Sequence, residues 1–340
     1  MQLLRIDRPT RMTSPKRRDA ERMKAAVLIG PRTVIVQDVA IPQPQAGQVR
    51  VRLEGCGVCA SNITPWKGPE WMTYPTSPGG LGHEGWGSVD AIAPDVRSVK
   101  VGDRVATLFT NSFAEYDVGD AGAVVKLPSI LARQPFPGEP LGCAMNILNR
   151  SAIKAGHRVA IIGIGFLGAL LTRLSVHAGA EVIAVSRRQA SLDLAREMGA
   201  VETVLMDDHA SIIRRVGELT ARSFCDRVIE ATGKQWPLDL AGELVCEGGR
   251  LIIAGYHQDG PRQVNMQQWN WKGIDVINAH ERDPSVNVRG VKDAIAAVAA
   301  GILSPERLYT HRYSLSELGA AFEATAQRPE GFIKALVLMR

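Results

Sequence analysis

Three glycines, Gly163, Gly165 and Gly168, follow the apolar run RVAII in the spacing G-x-G-x-x-G and open a helix-like stretch that begins Phe166-Leu167. The spacing says little by itself in a chain with 33 glycines. Between a strand and a helix it says more. The first glycine permits a tight turn, the second lets backbone amides approach a pyrophosphate, and the third lets helix and strand pack closely. The helix start offers free N–H groups and a partial positive charge to the anion. A dinucleotide is the expected ligand. The next apolar run, EVIAVS, ends in Ser186, Arg187 and Arg188. A site for NAD usually has an acid there, accepting hydrogen bonds from the ribose. Two planar guanidiniums instead match an added phosphate in charge and geometry, so NADP(H) is expected. The alternative is a pair of solvent-facing arginines that merely lead into a helix.

A second group of residues suits a metal. Cys59 lies in GCGVCASN, His83 and Glu84 in GLGHEGWGSV, and Glu139 and Cys143 in GEPLGCAMN. A sulfur, an imidazole and a carboxylate are the donors of an open zinc site with a fourth position for water or substrate. Their spacing does not establish one. Cysteines are often small buried apolar residues, and a single histidine is usually structural. His157, His177, His209, His257 and His311 have no ligand context and read as structural or surface residues.

These residues need elements to hold them. Residues 24–128 alternate apolar and polar positions between Gly, Pro and Asp turns, the pattern of a compact β-rich domain. Near residue 150 the pattern becomes strand–helix alternation up to about residue 280, which argues for a parallel sheet covered on both faces. Two helix-like stretches and the strand GFIKALVLM follow. The fold class is therefore α/β. Its expected parts are an extension over 1–22, a catalytic part from 23–147 and 283–340, and a nucleotide-binding part from 148–282. The net charge of +5 is uneven: residues 1–22 carry seven basic and three acidic side chains, leaving +1 for the rest. A nearly neutral body argues against nucleic acid as a partner. No apolar run is long enough for a membrane span. Five cysteines and no export signal argue for a reducing, cytoplasmic setting, in which a cysteine that matters is a ligand or nucleophile rather than half a disulfide.

In order along the chain, GCGVCASN, GHEGWGSV, VGDRV, FAEY, EPLGCAMN, the glycine turn and THRYSLSELGAAFEATAQRPEGFIKALV resemble the zinc-dependent medium-chain dehydrogenases/reductases, from Met23 to Met339. The resemblance implies a GroES-like catalytic domain interrupted by a Rossmann domain. It implies one catalytic zinc on Cys59, His83 and a third ligand. The sorbitol- and threonine-dehydrogenase-like branch uses the Glu of EPL, here Glu139; the alcohol dehydrogenases use a Cys, for which Cys143 stands nearest. Glu139 has the better spacing from the glycine turn. Glu84 is the nearby acid that exchanges with water, and Ser61 begins the proton relay. Asn278 and His280 face the nicotinamide amide, with Ala279 between them, and Lys334 lies on the pyrophosphate. Trp66, Trp71 and Trp86 either line a substrate cleft or pack beneath the sheet. The expected substrate is a small alcohol or carbonyl, with polyols or sugar derivatives favoured by the Glu-type ligand, and the expected assembly is a homodimer or homotetramer.

The chain departs from the family in three places. The four-cysteine lobe of a second, structural zinc is absent between Val101 and Phe113. Asn62 stands where Asp is usual, and Thr64 where a His often ends the relay. These departures keep two rivals in view: a zinc-free quinone or enoyl reductase on the same fold, and a non-catalytic NADPH-binding protein with a decayed site.

Overall fold

In the computed structural model, residues 21–339 are described. The chain opens with β1 (Arg22–Gly30), β2 (Thr33–Ala40), β3 (Gln48–Val58), α1 (Ile63–Lys67), β4 (Gly85–Ile92), β5 (Arg104–Thr107), β6 (Tyr116–Asp120), β7 (Val124–Lys126) and α2 (Gly138–Ser151). A regular alternation follows: β8 (Arg158–Ile162), α3 (Phe166–His177), β9 (Glu181–Ser186), α4 (Gln189–Glu197), β10 (Glu202–Leu205), α5 (His209–Leu219), β11 (Cys225–Glu230), α6 (Gln235–Leu244), β12 (Val245–Ile253), α7 (Met266–Lys272) and β13 (Asp275–Asn278). The chain closes with α8 (Pro284–Ala299), β14 (His311–Ser314), α9 (Leu318–Gln327) and β15 (Ala335–Leu338).

The alternating segment forms a six-stranded parallel sheet in the order β10-β9-β8-β11-β12-β13. Its central strands are apolar on both faces because helices cover both: Val159 and Ile161 pack to one side, Ala160 and Ile162 to the other. The order reverses between β9-β8 and β11, and ligands of such sheets bind in the crevice beyond the strand ends at that point. The glycine turn lies there. The remaining strands build a seven-stranded sheet, β14-β15-β3-β4-β5-β7 with β6 on β3, and the β1-β2 hairpin. Strand β15 returns from the far end of the chain to pair antiparallel with β3, so the C-terminus completes the sheet that carries Cys59.

Most of the expected 1–22 extension lies outside the described residues; Arg22 itself is in β1, paired with Ala40. Residues 138–151, singled out in the sequence only for their motif, form helix α2. Their Gly-rich start is a poor helix former, and packing supplies what propensity lacks. A Cβ on Gly142 would meet the Val291 backbone of α8 at 2.8 Å, and one on Gly290 would meet the Gly142 carbonyl at 2.7 Å. The two helices cross backbone to backbone. Among the described residues, no helix is long and apolar enough to cross a membrane.

Candidate functional site

Strand β3 ends at Val58, and Cys59 caps the short turn that follows: its sulfur accepts from the Ser61 N–H at 3.5 Å. Asn62, 2% exposed, closes the turn and reaches beyond it. Its Oδ1 accepts from the Cys59 N–H at 2.9 Å, and its Nδ2 donates to the Leu81 carbonyl at 2.9 Å. That same carbonyl lies 3.2 Å from His83 Nδ1. A proton on Nδ1 satisfies this contact and leaves Nε2 as the free donor of the ring. The amide at position 62 thus ties the cysteine loop to the histidine loop without a charge of its own.

Donor atoms of Cys59, His83 and Glu84 all lie within 4.8 Å of one another. Glu84, the residue before β4, is fully buried. Lys334 Nζ lies 2.6 Å from both of its carboxylate oxygens, with hydrogen-bond geometry toward Oε1 only, and Oε2 is left without a hydrogen-bond partner. The carboxylate occupies space that β3 gives up: a Cβ on Gly57 would sit 1.9 Å from Glu84 Oε2. Two positions earlier, a Cβ on Gly55 would sit 2.5 Å from the Trp86 ring.

Glu139, in the first turn of α2, lies outside that group of three but bears on it electrostatically. Its Oε1 accepts from the Cys143 thiol at 3.1 Å, so Cys143 is turned toward Glu139. Burial pushes the Glu139 carboxyl up, against the pull of the His83 charge. For His83 burial works against the charged ring, yet the Cys59 sulfur and the Glu139 and Glu84 charges outweigh it and raise its pKa to about 10. A soft sulfur, an imidazole nitrogen and a buried carboxylate with an unpartnered oxygen are a donor set that fits zinc.

The nucleotide motif is built as its residue types require. Gly163 has φ +100°, a left-handed value, and Gly168 packs so closely that a Cβ would fall 2.0 Å from the Gly163 carbonyl. Gly165 caps α3 without any side chain, leaving the N–H groups around Phe166 and Leu167 at the crevice. Ser186 ends β9 and is buried; Arg187 is exposed; Arg188 caps α4 and donates from Nη1 to the Phe332 carbonyl at 3.1 Å.

The other expected residues have the following surroundings. Lys334, expected on the pyrophosphate, is 5% exposed and committed to Glu84, with its Nζ 5.0 Å from the Phe166 ring centroid. Trp66 and Trp86 are 2% and 1% exposed and belong to apolar cores, while Trp71 is exposed, so the three do not form one cleft wall. Asn278 accepts from the His280 N–H at 3.1 Å, and the His280 ring meets Tyr256 edge-on. Two residues near the site gave no signal in the sequence. Gln258, after β12, donates from Nε2 to the Ser61 carbonyl at 3.0 Å and bridges the two sheets' domains. Fully buried Glu230 shapes that loop, taking the Thr232 and Gly233 N–H groups and lying 2.9 Å from His257.

Comparison with known proteins agrees with this architecture. A family model for the alcohol dehydrogenase GroES-like domain matches residues 45–129, and one for zinc-binding dehydrogenases matches residues 167–296. An alcohol dehydrogenase of Geobacillus stearothermophilus is 30% identical over 270 residues, spanning 68% of this chain and 77% of that protein. The D-xylulose reductase of Saccharomyces cerevisiae is 28% identical over 359 residues, spanning 94% and 98%. A solved structure from Sinorhizobium meliloti 1021, provisionally described as a zinc-binding dehydrogenase and bound to NADP, superposes with a TM-score of 0.82 at 26% identity, covering 94% of this chain and 99% of that one. With a GroES-like sheet, a Rossmann sheet and cysteine, histidine and glutamate donors drawn together, the chain belongs to the zinc-dependent medium-chain dehydrogenases/reductases, a family of oxidoreductases.

Proposed function

We propose that this chain is an NADP(H)-dependent alcohol or polyol dehydrogenase whose zinc is held by Cys59, His83 and Glu139, with Glu84 as the exchanging acid. The observation that carries the zinc reading is the convergence of Cys59, His83 and Glu84, with Glu139 acting on the same histidine. A zinc-free reductase has no use for such a set. Bound zinc supplies a Lewis acid for the substrate oxygen, on the order of several kcal/mol of charge stabilisation. The nicotinamide supplies or accepts the hydride.

The chain's own residues provide the rest. The Ser61 N–H steadies the Cys59 sulfur, and Asn62 fixes the distance between the cysteine and histidine loops. The Leu81 carbonyl holds the His83 ring. Lys334 balances the charge of Glu84. The Ser61 hydroxyl takes up the substrate's proton, and Gln258 fixes the backbone that carries it. At the other end of the crevice, the glycine turn receives the pyrophosphate, and Arg187 and Arg188 receive the 2′-phosphate. The NADP seen in the Sinorhizobium relative supports the same choice. The polyol assignment draws on the D-xylulose reductase among the relatives.

Two measurements test this. Metal analysis is expected to find about one zinc per chain, lost in Cys59→Ala; a chain purified without zinc, and inactive toward alcohols when zinc is added, contradicts it. The double substitution Arg187→Ala/Arg188→Ala is expected to lower the ratio of NADPH to NADH efficiency. An unchanged ratio removes the NADP(H) assignment.

A further inference from the structure

A cavity of about 290 Å³ opens between the start of α4 and the segment that follows α9. It is lined on one side by Arg188, Gln189 and Ser191, and on the other by Arg328, Glu330 and Phe332. Four observations give it a sign. Arg188 and Arg328 face one space, and among the described residues neither has a carboxylate within ion-pair distance. Helix α4, nine residues long, starts here with no side-chain cap; the Ser191 and Leu192 N–H groups bond to the Arg188 carbonyl, which leaves those of Gln189 and Ala190 for an anion. Ser191 lines the cavity, is 1% exposed, and has a hydroxyl with no hydrogen-bond partner. Finally, Arg328 ends α9 with φ +51°, a left-handed position where glycine is usual. The chain accepts an arginine there, and that turn carries the guanidinium to the glycine turn: Nη1 lies 3.6 Å from where a Cβ on Gly165 would stand.

Burial and the neighbouring charges of Arg188 and Arg187 both press the Arg328 pKa down, the mark of cations gathered without a counterion. Glu330 is the one acid in the lining; it is exposed, and the two guanidiniums outnumber it.

We infer that this cavity is a phosphate pocket shared by the two domains, in which Ser191 and Arg328 join Arg188 in receiving the 2′-phosphate of NADP(H). The inference rests on the nucleotide reading above and goes past it. It adds a hydroxyl from within the helix and, from the catalytic domain, a cation that the 2′-phosphate draws against the nucleotide domain. The 2′-phosphate then links the domains, and NADPH closes the crevice more firmly than NADH can.

The test is binding, measured by titration calorimetry on the full chain with NADPH, NADH, adenosine 2′,5′-bisphosphate and adenosine 5′-diphosphate. Arg328→Gln is expected to weaken NADPH and the 2′,5′-bisphosphate about tenfold, and Ser191→Ala about threefold, with NADH and adenosine 5′-diphosphate nearly unchanged. Arg328→Lys should recover part of the loss. Nucleotide-free thermal unfolding of each variant checks folding, and Ser191→Ala tests the pocket even if Arg328→Gln folds poorly. The inference is overturned if Arg328→Gln weakens NADH and NADPH equally, or weakens neither. If Arg187→Ala/Arg188→Ala still lowers NADPH affinity in that case, the cofactor assignment stands and only the shared pocket falls. If the wild-type chain binds the 2′,5′-bisphosphate no tighter than adenosine 5′-diphosphate, the cofactor assignment falls first and the pocket with it.

Discussion

Replacing Lys334 with methionine removes the ammonium that faces Glu84 and keeps most of the side chain's length. The pair is 2.6 Å apart, and the two side chains are 6% and 0% exposed. At that separation, with an effective dielectric constant near 20, the attraction is about 6 kcal/mol. Part of it offsets the work of taking both charges out of water. What the single substitution adds is a carboxylate left buried without its partner, which typically costs about 3–5 kcal/mol. Guanidinium unfolding of Lys334→Met should show a loss of that size. Glu84→Gln in the same chain should recover most of it, because a neutral amide needs no counterion. The contact of Lys334 with the Phe166 ring contributes about 2 kcal/mol and does not respond to Glu84→Gln, so the double substitution separates the two effects. The pH dependence has a definite sign. Glu84 raises the Lys334 pKa against the effect of burial, so the wild-type contribution is complete below the ordinary lysine value of about 10.4 and fades only above it. A loss below about 1 kcal/mol, or a double variant no better than the single one, refutes the claim that the lysine serves the glutamate.

Three further outcomes follow from the same geometry. Asn62→Ala removes the bond that closes the cysteine turn and the one that ties it to the histidine loop, and should weaken zinc binding about 10- to 100-fold in a chelator competition; Asn62→Asp, which cannot donate to Leu81, should not restore it. Gly57→Ala places a Cβ 1.9 Å from Glu84 Oε2 and should destabilise the chain by about 1–3 kcal/mol, read by unfolding, with zinc content falling alongside. Burial raises the Asp117 pKa from 3.8 to about 6 despite hydrogen bonds from Ser112, Val118 and Asn111. The folded chain therefore holds that proton to higher pH than the unfolded chain, and stability from this group falls between about pH 4 and pH 6, by about 3 kcal/mol in all. Unfolding measured across that range should lose this slope in Asp117→Asn.

The parts legible in the sequence are those whose chemistry or periodicity is local. RVAII followed by the glycine spacing identifies β8 and the start of α3, because each glycine has a steric reason that can be stated from its neighbours in the chain. The strands of the β-rich part read from their alternation. Helix α2 did not read as a helix because its first five residues hold Gly138, Pro140 and Gly142, and its stability comes from contact with α8, well over a hundred residues away. The partners of Lys334 and Arg328 were hidden for the same reason. A lysine near the C-terminus does not announce a buried glutamate 250 positions earlier, and only the pairing of β15 with β3 brings them together. Judged by charge alone, Asn62 is only a departure from the usual Asp. In three dimensions its two ends serve a donor and an acceptor at once, which a carboxylate cannot do.

The hollows at Gly55 and Gly57 limit how such an enzyme can change its taste for substrates. Strand β3 cedes both volumes to β4, one to an indole and the other to a carboxylate. That wall of the chamber is a casting with no slack, and a methyl group added to it deforms the ion's surroundings before it reshapes anything an alcohol would feel. New bulk is tolerated instead at exposed side chains such as Trp71 and Tyr256, where it displaces only water.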